Sequence, residues 1–134
     1  MISIILTSMA LGVVAEVGAV TFGLWRYRHP VLPALNVMFA FGLVQGLCVA
    51  WALGRSGDPL ALAPVLFMTG AVLGIFYEGL NSFVLLAWSW PDRPLLGMAR
   101  ALDKAAVVGV SWGLVPVVSN ILVRAAKPLL GAHP

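Results

Sequence analysis

Two glutamates, Glu16 and Glu78, stand inside long apolar stretches. An acidic side chain in hydrocarbon costs roughly 2.5–3.5 kcal/mol on insertion scales, so each marks a place where something offsets that cost. A carboxyl there can hold a proton, bind a cation, or accept hydrogen bonds from neutral groups. Two carboxyls close together in a low dielectric resist carrying two charges, which suits them to sharing a proton. No Lys, Arg or His interrupts the apolar residues around either one. The plainer alternative is that each carboxyl only bonds a neighbouring helix, as packing glue.

The spacing around the two acids is similar. Trp25 follows Glu16 by nine residues, and Trp88 follows Glu78 by ten. At about 1.5 Å rise per residue, each carboxyl is expected roughly 13–15 Å from its tryptophan, at one common depth near the bilayer midplane. Gly12, Glu16, Ala19 and Gly23 share one helix face, and Gly70, Gly74, Glu78 and Asn81 share another. Gly42, Gln45 and Gly46 fall together, as do Gly109, Gly113, Pro116 and Asn120. Small residues let membrane helices approach closely, and polar ones bond across the contact. The four faces are therefore expected to meet around Glu16, Glu78, Asn81, Gln45 and Asn120. For Gln45, Asn36 and Asn120 taken alone, and for the glycine pairs, packing is the default reading.

The elements that must position these residues follow from composition. The chain has 134 residues, 61% hydrophobic and 10% charged, with a mean hydropathy of +1.01. Soluble domains are about 25% charged. That difference excludes a soluble globular domain, a disordered tail, a nucleic-acid module and a disulfide scaffold. The fold class expected is all-α, an integral membrane four-helix bundle with short loops, in a single domain covering residues 1–134. Spans are expected at about 2–25, 31–53, 60–90 and 105–123. The third is long enough to be tilted, or kinked near Pro64. A segment at about 94–104 is expected to lie on the membrane surface, with Leu95, Leu96 and Met98 toward lipid. The start of the chain lacks the basic residues of a secretory signal, so the first span is expected to be retained.

Orientation rests on a small bias. The turns after the first and third spans carry Arg26, Arg28, Arg93, Arg100 and Lys104, against Arg55, Arg124 and Lys127 on the other side. Five against three places both termini on the non-cytoplasmic side. Trp25, Tyr27, Trp88, Trp90 and Trp51 fall at span ends, where a membrane-interface belt is the expected role.

Glu16, Trp25, Tyr27 and Pro30 resemble Glu78, Trp88, Trp90 and Pro91 in order. This pattern would fit a duplicated helical hairpin, though a few residues and a one-residue gap also arise readily by chance. Ala15-Glu16-Val17 resembles the first-span glutamate context of small multidrug transporters, and Leu35-Asn36-Val37 resembles the second-span asparagine of small fluoride channels. Each likeness covers three residues and stops there. The long third span with its own Glu78 departs from the former, and the third-span signature of the latter is missing, so no family is assigned.

Other chemistry finds no support. His29 lies in a turn and His133 at the C-terminal end, so no histidine at depth can ligate haem or activate Ser82, Ser111 or Ser119. No Cys or His spacing fits zinc, and no glycine-rich phosphate loop is present. No cofactor, metal or nucleic-acid partner is expected, and an enzyme is the less favoured class. The leading expectation is a small proton- or cation-coupled transporter with the carboxyl pair at its midplane. Such a short bundle is expected to contact membrane lipid and to form a homo-oligomer or join partner membrane subunits. The alternatives are an accessory subunit of a larger membrane complex, or a small membrane enzyme or binding protein for an apolar lipid such as an isoprenoid or sterol.

Overall fold

The computed structural model describes residues 2–55, 58–90, 96 and 100–126. Four helices account for most of them: α1 Ile2–Thr21, α2 Leu32–Leu53, α3 Ala63–Val84 and α4 Arg100–Ala126. All four are long and apolar enough to cross a membrane, which suggests a multi-pass membrane protein. A helix satisfies its own backbone, the requirement that hydrocarbon imposes. Pro33 and Pro64 stand in the first turns of α2 and α3, where a missing N–H leaves no bond unmade. Pro64 thus starts its helix instead of kinking it. Two wide π-helical stretches, Val37–Gln45 in α2 and Leu80–Val84 in α3, interrupt the regular pitch.

Helix α1 packs along α2, and α3 packs along α4; α4 also meets α1 and α2, which joins the two hairpins. Glycines make both seams. A Cβ on Gly12 would collide with Phe41, and one on Gly42 would meet Met9 at 2.7 Å. In the other hairpin, a Cβ on Gly70 would stand 2.5 Å from the Trp112 carbonyl oxygen, and Gly74 lies directly under the Trp112 ring. The packing role expected of these glycines is what they perform.

The ends of α1 and α3 differ from the expected spans. Helix α1 stops at Thr21, four residues short of the expected 25, and Gly23 then adopts a left-handed backbone with φ +67. The stretch 60–90 is not one span. Helix α3 stops at Val84, Leu86 takes φ 51, and the chain runs back into a short strand. In each case the left-handed residue reverses the chain, an ordinary conformation for glycine and a costly one for leucine. The two returning segments pair as antiparallel strands, β1 Arg26–Tyr27 and β2 Trp88–Ser89, with Arg26 opposite Ser89 and Tyr27 opposite Trp88. Residues 100–104 of the segment expected on the membrane surface are instead the start of α4, with Asp103 buried. The rest of that segment, apart from Leu96, lies outside the described residues.

The interior is mixed. Ala40, Phe41, Val108, Trp112 and Val115 form an apolar cluster, and Ala19, Trp25, Ala87 and Trp88 form a second below the hairpin tips. The outer faces carry Val14, Phe76 and Phe83, all well exposed, as a surface covered by lipid tails requires.

Candidate carboxylate cups

The chain reversals aim aromatic side chains back at the two acids. Glu16 is 5% exposed. Its Oε2 accepts from the Tyr27 hydroxyl at 2.6 Å and from Trp25 Nε1 at 3.3 Å, and its Oε1 accepts from Asn36 Nδ2. The same Asn36 amide donates to the Tyr27 hydroxyl at 3.1 Å. Burial, and then the charge of Glu16, push the Tyr27 phenol well above its usual range, so it remains a donor at any ordinary pH. Three donors on one buried acid satisfy its oxygens, which offsets the cost of burying it.

Glu78 sits in a second cup built to the same plan. Trp88 Nε1 donates to both carboxylate oxygens at 2.8 Å, and Trp90 Nε1 and the Ser82 hydroxyl donate to Oε1. Trp25 meets Trp90 edge-on at 5.6 Å between centroids, and Tyr27 meets Trp88 edge-on at 5.3 Å. The donors of one acid are thus in ring contact with the donors of the other, across the β1–β2 pair.

The cups differ in access. Glu78 lines a cavity of about 420 Å³ together with Ile75, Ser82, Phe83, Trp88, Trp90 and Val108, with Arg28 and Lys104 also on its wall. Glu16 does not line this cavity. No basic residue interrupts the apolar sequence around Glu78, yet the fold brings Arg28 and Lys104 to its cavity. Lys104 comes from the first turns of α4, which starts earlier than expected, and its ammonium also lies 5.4 Å from the Trp90 ring centroid.

The single polar centre expected from the helix faces is not what forms. Glu16 and Glu78 are at the same end of the bundle, each in its own cup. Asn81 is buried but spends its amide on the Tyr77 carbonyl of its own helix at 2.8 Å, while its own carbonyl accepts from Ala87 N–H and closes the turn. Asn120 bonds the Pro59 carbonyl at 3.2 Å and accepts from Arg124, which also reaches the Ala52 carbonyl; this network ties α4 to the opposite end. Gln45 reaches α4 instead of either acid. Its Nε2 lies 3.4 Å from the Trp112 carbonyl oxygen. That carbonyl is the one left without an intrahelical donor by Pro116, four residues on. Gln45 therefore supplies the missing donor. Gln45→Leu should lower stability by about 1–3 kcal/mol, and the loss should shrink in a Pro116→Ala background, where the helix supplies its own N–H. Unfolding of the four proteins in detergent measures that coupling, and equal losses in both backgrounds would exclude it.

The belt reading fails for four of its five aromatics. Trp25 and Trp88 are buried, and Trp25, Tyr27, Trp88 and Trp90 all donate to acids; Trp51, 46% exposed and beneath Arg55, keeps a surface position. The residues missed as site members are Trp25, Tyr27, Asn36, Ser82, Trp88 and Trp90. The repeated spacing from acid to aromatic is the signal for the four aromatics and leaves Asn36 and Ser82 unmarked. Among the described residues, no cluster of three or more His, Cys, Asp or Glu could hold a metal. Compared with known protein families, curated proteins and solved structures, the chain gives no match.

Proposed function

We propose that this is a small proton-coupled membrane carrier in which Glu78 takes up and releases the proton as a ligand enters and leaves its cavity. The observation that carries the reading is the Glu78 carboxylate on the wall of a cavity of about 420 Å³, within the usual 300–1,000 Å³ range of ligand sites. Arg28 and Lys104 on the same wall disfavour a bare metal cation as the coupled ion and leave the proton. Ser82 fits the task. Its hydroxyl rotates between donor and acceptor, so the cup can hold Glu78 charged or neutral. Glu16, sealed by Tyr27 and Asn36, is the structural counterpart.

Two finer features belong to this reading. In the orientation that the basic turns favour, the cavity end faces the cytoplasm and both termini face away. The two hairpins are copies of one unit related by an axis along the membrane normal. Equivalent positions Arg26 and Ser89 pair with each other, Gly23 and Leu86 share the left-handed backbone, and the Trp25–Trp90 contact mirrors the Tyr27–Trp88 contact.

A hydrophobic carbodiimide, which modifies protonated carboxyls reached from apolar surroundings, tests the carrier reading. Peptide mass mapping should find the adduct on Glu78 and not on Glu16, with less of it as pH rises, and none in Glu78→Gln. Labelling of Glu16 alone, or no labelling of Glu78 at any pH, would remove the proposal. The aromatic and apolar lining also suits a plain binding protein for an apolar lipid. Proton flux in proteoliposomes that is present with Glu78 and lost in Glu78→Gln separates the carrier from that second reading.

A further inference from the structure

Among the described residues that line the cavity, two carry positive charge and one is an acid. Arg28 enters from the turn after α1 and Lys104 from α4, and Glu78 is the one acid among the described lining residues. Glu78 is also well supplied. Oε1 accepts from Ser82, Trp88 and Trp90, and Oε2 accepts from Trp88. A carboxylate offers about four acceptor sites, so this one has little left for the donors of an incoming cation. The two cations offer a compact ammonium and a planar fork of N–H groups, the pair of geometries that bind a carboxylate or phosphate head. Ser82 and Ser89 add two hydroxyls, and Ile75, Phe83, Ala105 and Val108 make an apolar side. Ile75 and Phe83 are 45% and 82% exposed on the surface of α3, so the apolar side of the cavity continues onto the face that lipid covers.

We infer that the cavity takes an amphipathic anion, with its charged head against Arg28 and Lys104 and its hydrocarbon body along Ile75, Phe83 and Val108. This names the ligand class for the carrier proposed above and rests on the same cavity. It also gives the coupling a cause. An anion adds negative charge beside Glu78, and a proton on Glu78 removes it, so each favours binding of the other by the same factor. Among the described residues, the charged and titratable groups that bear on Glu78 are Arg28, Lys104, Tyr77 on its own helix, and Glu16 beyond the indoles; Asp103 precedes Lys104 on α4. Among these, Glu78 alone is an acid on the cavity wall.

The test uses the full chain in phosphatidylcholine nanodiscs, with empty nanodiscs as the partition control. Decanesulfonate is the probe, because it stays ionised across the pH range, and decyltrimethylammonium is its cationic match. Saturable binding of the sulfonate near one per chain, and none of the ammonium, is the expected result. Arg28→Gln and Lys104→Gln should each weaken binding about tenfold, and Ala105→Phe, which narrows the cavity without touching a charge, should also block it. Binding should be tighter at pH 5.5 than at pH 8 in the native protein and pH-independent in Glu78→Gln. Preference for the ammonium, or sulfonate binding unchanged by all three variants, would overturn the inference. Carbodiimide labelling of Glu78 without saturable sulfonate binding would overturn the ligand class and leave the proton site standing. Sulfonate binding with no labelling would do the reverse. Native mass spectrometry separates the two sources of such an anion: an acidic phospholipid carried through purification and displaced by the sulfonate marks a membrane lipid, and an empty site that fills marks a free amphiphile.

Discussion

Gly70→Leu should unfold the protein far more readily than any change on its outer faces. A Cβ at Gly70 meets the Trp112 carbonyl oxygen at 2.5 Å and Gly113 Cα at 3.1 Å, and both are backbone atoms that no rotamer change can move aside. The two helices must separate, and the contacts of Gly74 with Trp112 and of Gly113 with Phe67 are lost with them. Overpacking of a well-packed interior costs about 1–3 kcal/mol for modest additions. Gly70→Ala is placed in that range, and leucine, with three more carbons, above it. Gly18 is the control. A Cβ there has nothing within 4 Å, so Gly18→Ala should be neutral, or stabilising by up to about 1 kcal/mol through helix propensity. Unfolding in detergent, followed by tryptophan fluorescence, ranks the three. Equal stabilities for the Gly70 and Gly18 variants would mean that the α3–α4 seam is not closed as described.

The second large effect concerns Asn36. Its amide serves both the Glu16 carboxylate and the Tyr27 hydroxyl, from a site only 4% exposed. Asn36→Ala removes a donor from a buried acceptor and should cost about 1–3 kcal/mol. Asn36→Asp is nearly the same size yet should cost more at pH 8, because it replaces the donor by a second carboxylate against Glu16. Two buried carboxylates in contact cannot both stay ionised, so the excess cost of Asp over Ala should fall as the pH is lowered toward 5 and one of them takes a proton. Detergent unfolding of both variants at the two pH values gives the comparison. An Asp variant as stable as the Ala variant at pH 8 would show that Asn36 does not face the acid.

The same two variants bear on the fold. The Asn36 bond ties α2 to the acid of α1, and the Trp25 and Tyr27 bonds tie the returning segment to that acid. The Glu16 cup is thus a tertiary knot at the tip of the first hairpin, and Glu78 with Trp88 and Trp90 forms its counterpart. A buried acid in this setting closes the hairpin; the proposed proton and ligand roles need, in addition, a cavity that reaches it. Among the described residues, Glu78 and not Glu16 lines the cavity of about 420 Å³.

Composition and apolar runs alone were enough for four membrane-length helices, because continuous apolar stretches of about 20 residues match the length a helix needs to span lipid while satisfying its own backbone. The glycine spacings were likewise enough to mark which faces close on each other, since a missing side chain acts wherever the helices run. The two acids stood out because charge in hydrocarbon is costly. The partners of those acids could not be read the same way. Extending α1 to residue 25 as a straight helix put Trp25 some distance beyond Glu16, whereas a left-handed residue at Gly23 turns the chain back and brings the indole onto the carboxylate. At Leu86 no residue type announces the turn, and the bond from Ala87 N–H to the Asn81 carbonyl, together with the packing of the two hairpin tips, holds it there. Gln45 and Asn120 lay on the expected faces, yet face alone does not choose a partner: a carbonyl freed by Pro116 claims one, and a loop carbonyl at Pro59 claims the other. Helical periodicity is local and survives in one dimension. The pairing of donors with acceptors depends on where the chain reverses and how deep each helix sits against the next, and those are settled only when the four helices pack.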